Sequence, residues 1–213
     1  GVDASLGSVM KTLDDLNIAD NTILIFYSDN GGRVLGKTTK GLYKKYEFNY
    51  PLRSGKASVY EGGIRVPAVI KWPGKSKPNS ISNAPIIIED MYATVLNAAE
   101  GIVPSEYKID GKNIASIIEN PSSKEFLKNR SLFFYMPYRF EGVDYNGPDF
   151  VNGGVTPTAA VIKNEWKLIY FEDEERFELY NLSEDIGEQY NLFNTKHKQA
   201  ILLVNELNKK MQE

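Results

Sequence analysis

The sequence predicts an α/β fold in two parts: a layered region of apolar strands and amphipathic helices, then a small antiparallel four-stranded sheet with a terminal helix. Three observations carry this. The runs at 22–27 and 68–72 are apolar on both faces, as strands covered by helices on either side must be. From Arg130 onward the texture changes to short runs of strand formers at 132–135, 158–162, 167–171 and 177–180, separated by turn-type residues. The last stretch, 196–211, returns to a helical period. The division expected is therefore 1–129 and 130–213.

In order along the chain, Val2, Leu6, Val9, Leu13 and Leu16 recur at steps of four and three, which puts them on one face of a helix that 17–21 ends. The strand at 22–27 follows, and its apolar character fits a parallel sheet better than a half-solvated antiparallel one. Residues 31–66 carry many Gly, Lys and Tyr without sustained periodicity and read as a long irregular connection, a kind of loop that is usually functional. After the strand at 68–72 and a Pro/Ser/Lys-rich turn at 73–83, a helix is expected over 86–99, with Met91, Val95 and Leu96 buried and Gly101 as its stop. Mixed loop and short helix fill 104–129. Asn164-Glu165 and the acidic run 172–175 fall where hairpin connections belong, and Ile201, Leu203, Val204 and Leu207 mark the core face of the last helix. Two buried-type strands are too few to cover the edges of a layered sheet, so the first part is expected to lack an N-terminal portion.

Composition excludes several function classes. With 213 residues, 42% of them apolar, the chain can bury a sizeable core. The 25 basic and 28 acidic residues leave a formal charge of -3, which argues against nucleic acid as a partner. No run approaches the roughly 18 apolar residues of a membrane span, and the first residues, Gly1-Val2-Asp3, lack the basic and apolar blocks of a signal peptide. The absence of cysteine excludes disulfides, thiolate metal sites and a thiol nucleophile.

Two segments could carry chemistry. Ser28-Asp29-Asn30-Gly31-Gly32 directly follows the first apolar strand, at the sheet end where open α/β folds bind ligands. Asp29 offers a carboxylate and Asn30 an amide oxygen, hard donors suited to Ca²⁺ or Mg²⁺. The same residues also make an ordinary Asx turn. In the second segment, 51–67, Gly55-Lys56 invites a phosphate-loop reading, but that motif needs Gly where Tyr50 stands and Ser or Thr where Ala57 stands. What is left is a lysine in a glycine-flanked loop, either solvated or folded back towards Asp29. Arg53, Glu61 and Arg65 read as ion-pair anchors that hold the loop's shape.

Together these segments resemble the sulfatase family of the alkaline-phosphatase-like superfamily. Ser28-Asp29-Asn30-Gly31 is similar to the family's second metal-ligand motif, and 52–67, with its Tyr60-Glu61-Gly62-Gly63-Ile64-Arg65-Val66-Pro67 tail, to its active-site lysine segment. Ile70-Lys71-Trp72-Pro73-Gly74, the run from Glu89 to Leu96, Asp110-Gly111-Lys112, Trp166-Lys167-Leu168-Ile169 and Glu178-Leu179-Tyr180-Asn181-Leu182 continue the resemblance, which covers nearly the whole chain but only the C-terminal part of a family member. It implies the C-terminal part of an alkaline-phosphatase-like sheet sandwich, followed by the small sheet.

The resemblance also implies a sulfuric ester hydrolase. Asp29 and Asn30 would be two ligands of Ca²⁺ (or Mg²⁺), and Lys56 the catalytic and substrate-binding cation on a sulfate oxygen. The nucleophile would be a formylglycine from the missing N-terminal part, because this chain has neither cysteine nor a Ser-x-Pro-x-Arg motif; alone it is expected to be inactive. The family's active-site histidines are also lacking: His197, the single histidine, is expected at the surface, and Tyr135-Met136-Pro137-Tyr138 stands where relatives often carry one. The expected partners are a sulfated small molecule or glycan and the rest of the same protein; the expected location, by family analogy, is periplasmic or extracellular, in a bacterium. Specificity is assigned to loops 33–50 and 137–157. The alternatives are a phosphatase or phosphonate hydrolase of the same superfamily, and a non-catalytic module binding sulfated glycans or a partner through Phe133, Phe134, Tyr135, Tyr138 and Phe140.

Overall fold

The computed structural model describes residues 1–32, 49–104, 106–123, 126, 130–139 and 156–212. Phe140 and most of the two loops assigned to specificity lie outside the described residues. Contacts divide the chain into two compact units, Gly1–Tyr27 with Ala68–Asn129, and Ser28–Pro67 with Arg130–Glu213.

The first unit contains helix α1 (Val2–Asp15), strands β1 (Leu24–Tyr27) and β2 (Ala68–Lys71), and helices α3 (Glu89–Ala98) and α4 (Ala115–Glu119). β1 and β2 pair antiparallel, Leu24 opposite Lys71 and Tyr27 opposite Ala68, which corrects the parallel arrangement expected of them. Apolar residues on both faces report how much of a strand needs cover; they do not encode the direction of its neighbour. The core here is Met91, Ile114 and Ile117, with Ile25 and Ile70 against it. α1 forms over the expected span yet fully buries no residue: Leu6 and Leu13 are half-buried, and Val2, Val9 and Leu16 are exposed.

α3 is shorter than the 86–99 expected, and its inward face is shifted: Met91 is buried as expected and Leu96 is half-buried, but Val95 is exposed and Asp90 and Thr94 are buried. The reason is polar. Asp90, wholly inaccessible, accepts the Ile87 N–H at 2.9 Å and the Lys112 N–H at 2.8 Å, and Thr94 Oγ1 accepts the Ile114 N–H at 3.0 Å. At the other end Glu100, at φ 54, takes the left-handed position, the Gly101 N–H reaches the Leu96 carbonyl at 2.8 Å, and the Glu100 N–H reaches that of Asn97 at 3.1 Å. This is a Schellman closure with Gly101 one residue beyond the turn. A Cβ on Gly101 would lie 2.3 Å from Leu96 Cδ1.

The second unit is built on a sheet of β3 (Ser131–Met136), β4 (Thr158–Lys163), β5 (Trp166–Phe171) and β6 (Arg176–Asn181), antiparallel throughout and in chain order. The expected strands, hairpins and closing helix are all present. Asn164 at φ 55 and Glu175 at φ 48 make the two turns. Helix α5 (His197–Met211) lays Ala200, Leu203 and Leu207 over Ala159, Val161, Leu168 and Leu179. Ile201, expected on that face, is exposed because one residue is about 100° of helical rotation away from Ala200. His197 is exposed, as expected. On the sheet's other face Ala160, Ile169, Phe171 and Tyr180 pack against Val59 and Tyr60 of the connecting loop, which leaves β4 covered on both sides. Phe133 and Phe134 pack against these cores, while Tyr135 and Tyr138 are exposed. No helix among the described residues is long and apolar enough to cross a membrane.

Candidate functional site

The two segments singled out in the sequence, 28–32 and 49–67, fold together in the second unit through backbone bonds. The Gly31 N–H donates to the Gly63 carbonyl at 2.9 Å, and the Lys56 N–H donates to the Gly32 carbonyl at 3.0 Å. Asn49 clamps the junction: its Oδ1 accepts the Gly32 N–H at 2.8 Å, and its Nδ2 donates to the Gly32 and Ser54 carbonyls at 2.8 and 2.9 Å. The approach is so close that a Cβ on Gly31 would stand 1.7 Å from the Gly62 oxygen, and one on Gly62 2.3 Å from the carbonyl oxygens of Arg53 and Ser54. Lys56 sits between two left-handed residues, Ser54 at φ 61 and Ala57 at φ 72, and its side chain is exposed. Gly62 and Gly63 belong to the one-turn helix α2 (Glu61–Ile64), which leads towards β2.

Asp29 is exposed and Asn30 half-buried. Asp29 Oδ1 accepts the Asn30 N–H at 2.9 Å, Ser28 Oγ donates to the Asn30 carbonyl at 2.9 Å, and Asn30 Nδ2 donates to the Gly31 carbonyl at 3.0 Å. A local turn is thus realised, and it directs the Asn30 amide nitrogen towards Gly31, which sets its oxygen on the opposite side. Among the described residues no group of three or more His, Cys, Asp or Glu side chains is placed to hold a metal ion. Asp29 and Asn30 are hard oxygen donors, one charged and one neutral, and fit a divalent cation as part of a larger ligand set.

Beneath the loop lies a buried charge network. Lys167, on β5 and inaccessible, reaches Glu61 Oε1 at 2.9 Å and Glu188 Oε1 at 2.8 Å. Arg65 pairs with Glu61 at 3.2 Å. Arg53 donates to the Tyr180 hydroxyl at 3.0 Å and lies 3.9 Å from Glu178, with its guanidinium carbon 4.0 Å from the centre of the Tyr60 ring. Glu178 accepts from the hydroxyls of Tyr60 at 2.6 Å and Tyr180 at 2.8 Å, and is paired with Arg176. Burial pushes the Glu188 carboxyl up to about 7 against the pull of Lys167. Burial first, and then Glu178, hold the phenols of Tyr60 and Tyr180 well above the usual tyrosine range. The anchoring expected of Arg53, Glu61 and Arg65 is what the loop shows. The buried roles of Lys167, Glu178, Glu188 and Asn49 escaped the sequence reading: Lys167 and Glu178 entered it only within strand runs and family-like phrases, and a charge in the interior of an apolar strand was the signal that they are paired.

The chain matches the family model "Sulfatase" over residues 1–102 and the model "N-sulphoglucosamine sulphohydrolase, C-terminal" over residues 54–213. It is 36% identical to a sulfatase of Formosa agariphila over 99% of this chain and 37% of that protein. To an N-acetylgalactosamine-6-O-sulfatase of Bacteroides thetaiotaomicron it is 29% identical over 97% of this chain and 39% of that protein. Its structure is similar to the crystal structure of Ps i-CgsB in complex with k-i-k-neocarrahexaose, with a TM-score of 0.75 at 26% identity, over 98% of this chain and 40% of that one. The chain therefore spans well under half the length of the relatives it matches.

Proposed function

We propose, since this chain belongs to the sulfatase family, that it supplies one side of a site cleaving sulfate esters, with Lys56 as the cation that grips a sulfate oxygen. The observation that supports this most directly is the backbone seam: the Lys56 N–H bonds to Gly32, two residues from Asn30, so the lysine loop and the Asp29-Asn30 pair are one structural piece. Breaking the sulfur–oxygen bond of an ester builds negative charge on the leaving oxygen, and a fixed ammonium beside it stabilises that charge more than it stabilises the ground state. Asp29 and Asn30 would hold Ca²⁺ (or Mg²⁺) with ligands from elsewhere in the protein. Bound there, the ion would draw charge from the sulfate oxygens.

The nucleophile is expected from outside this sequence, and the 213-residue chain in isolation is expected to give no turnover. The substrate class we favour is a sulfated carbohydrate. Support comes from two similar proteins, one described as an N-acetylgalactosamine-6-O-sulfatase and one solved with a neocarrahexaose. A polymeric sulfated glycan cannot pass a bilayer unaided, which favours a periplasmic or extracellular enzyme. In the full-length protein, assayed on 6-O-sulfated N-acetylgalactosamine and on an aryl sulfate, Lys56→Ala should lower kcat by roughly 10²–10³. An unchanged rate would remove Lys56 from the site. Cleavage of the aryl ester alone would remove the carbohydrate assignment.

A further inference from the structure

We propose that Glu188 is the positioning residue for Lys56, pinning both ends of the loop that carries the lysine. The proposal rests on the reading of Lys56 given above. Ahead of Lys56, Arg53 Nη1 donates to the Glu188 carbonyl oxygen at 2.9 Å; beyond it, the Glu61 N–H donates to Glu188 Oε2 at 2.6 Å. One residue thus meets the loop at two points through two different acceptors, which sets the separation of Arg53 and Glu61 and with it the bulge between them. Lys167 locks the side chain in place, because its ammonium bridges Glu188 at 2.8 Å and Glu61 at 2.9 Å. The route continues through backbone: Gly62 N–H to Arg53 at 2.8 Å, Gly31 N–H to Gly63 at 2.9 Å, and Lys56 N–H to Gly32 at 3.0 Å.

Glu188 is wholly inaccessible, so it cannot touch a substrate and can act only through the loop. Its backbone stands at φ 52, a left-handed conformation that a Glu adopts at a cost. General stability is a weak reason for the arrangement, since buried ion pairs can often be exchanged for apolar groups with little loss. No apolar side chain, however, could accept the Glu61 N–H. Geometry is the stronger reason, because a displacement of about 1 Å in a charge-stabilising group costs on the order of 10²-fold in rate.

The test is a double-mutant cycle in the full-length enzyme on an aryl sulfate, joined to amide exchange on the 213-residue chain. Glu188→Ala should lower kcat about 10²-fold with KM little changed, and should add nothing once Lys56→Ala is present, because the two changes remove one effect. If Glu188→Ala does not fold, Arg53→Lys, which removes the fork from the other pin, carries the same two expectations. Wild-type kcat in a folded variant, or losses that multiply with Lys56→Ala, overturns the proposal. Exchange separates its failure from that of the lysine reading. Faster exchange at Lys56 and Gly31 with β4, β5 and β6 still protected supports the pin even if Lys56→Ala proves fully active. Unchanged protection at both amides overturns it.

Discussion

The two units bury their apolar residues to different extents. In the first, α1 fully buries no residue, and Val2, Leu16 and Val69 are each more than 60% exposed. In the second, Val161, Leu168, Ile169 and Leu179 have no accessible surface, and neither do the charged Lys167 and Glu188. The second unit closes a core from its own residues: helix α5 covers one face of the sheet and the lysine loop covers the other. A core that is complete can also carry a paired charge network, since each buried carboxylate there has a cation or hydroxyl in reach. The contrast places the rigid platform under the lysine loop, and it assigns the weaker cohesion of this chain to the α1 and β1–β2 region.

The largest effect that could break this contrast is in the sheet. Leu168→Ala should cost about 2–5 kcal/mol in urea unfolding of the chain, whereas Leu16→Ala should stay within about 0.5 kcal/mol; comparable losses would erase the distinction. Gly62→Ala comes next, at about 1–3 kcal/mol, because its Cβ would meet two backbone oxygens that no side-chain rotation can move.

Glu188 then makes the contrast pH-dependent. Its carboxyl is raised from 4.5 to about 7 by burial, so the unfolded chain ionises first as pH rises. The stability it contributes is fully present below the ordinary carboxylate range and is lost as pH climbs through about 7. Urea midpoints at pH 5 and pH 8 should show this decline in the wild type and not in Glu188→Gln; equal declines in both would refute the assignment. The smallest effect is expected at Glu206, held below the usual range by its bonds to Lys163 at 2.7 Å and Ser131 at 2.7 Å. Its contribution is present above 4.5 and fades as pH falls through its folded value. Because both side chains of the pair are about a third exposed, Glu206→Gln should cost about 0.5 kcal/mol or less at pH 7.

Local pattern alone specified most of the second unit. Short runs of strand formers bounded by turn residues, an Asn-led hairpin and a helical stripe ending in Leu207 are short-range properties of the chain, and the sheet and α5 follow them closely. Asp29, Asn30 and Lys56 stood out because they lie in short glycine-marked segments, and those segments do bond to each other through Gly31 to Gly63 and Lys56 to Gly32. Strand direction in the first unit did not stand out, because alternation and apolarity say which faces are covered and nothing about which way a partner runs. The Asn49 clamp spans 17 residues and the Glu61–Glu188 bond 127, and neither leaves a periodic trace. Contacts of that range exist only once the sheet has folded and brought β5, β6 and residue 188 under the loop, for hydrogen bonds and ion pairs act over a few ångströms of space and are indifferent to distance along the chain.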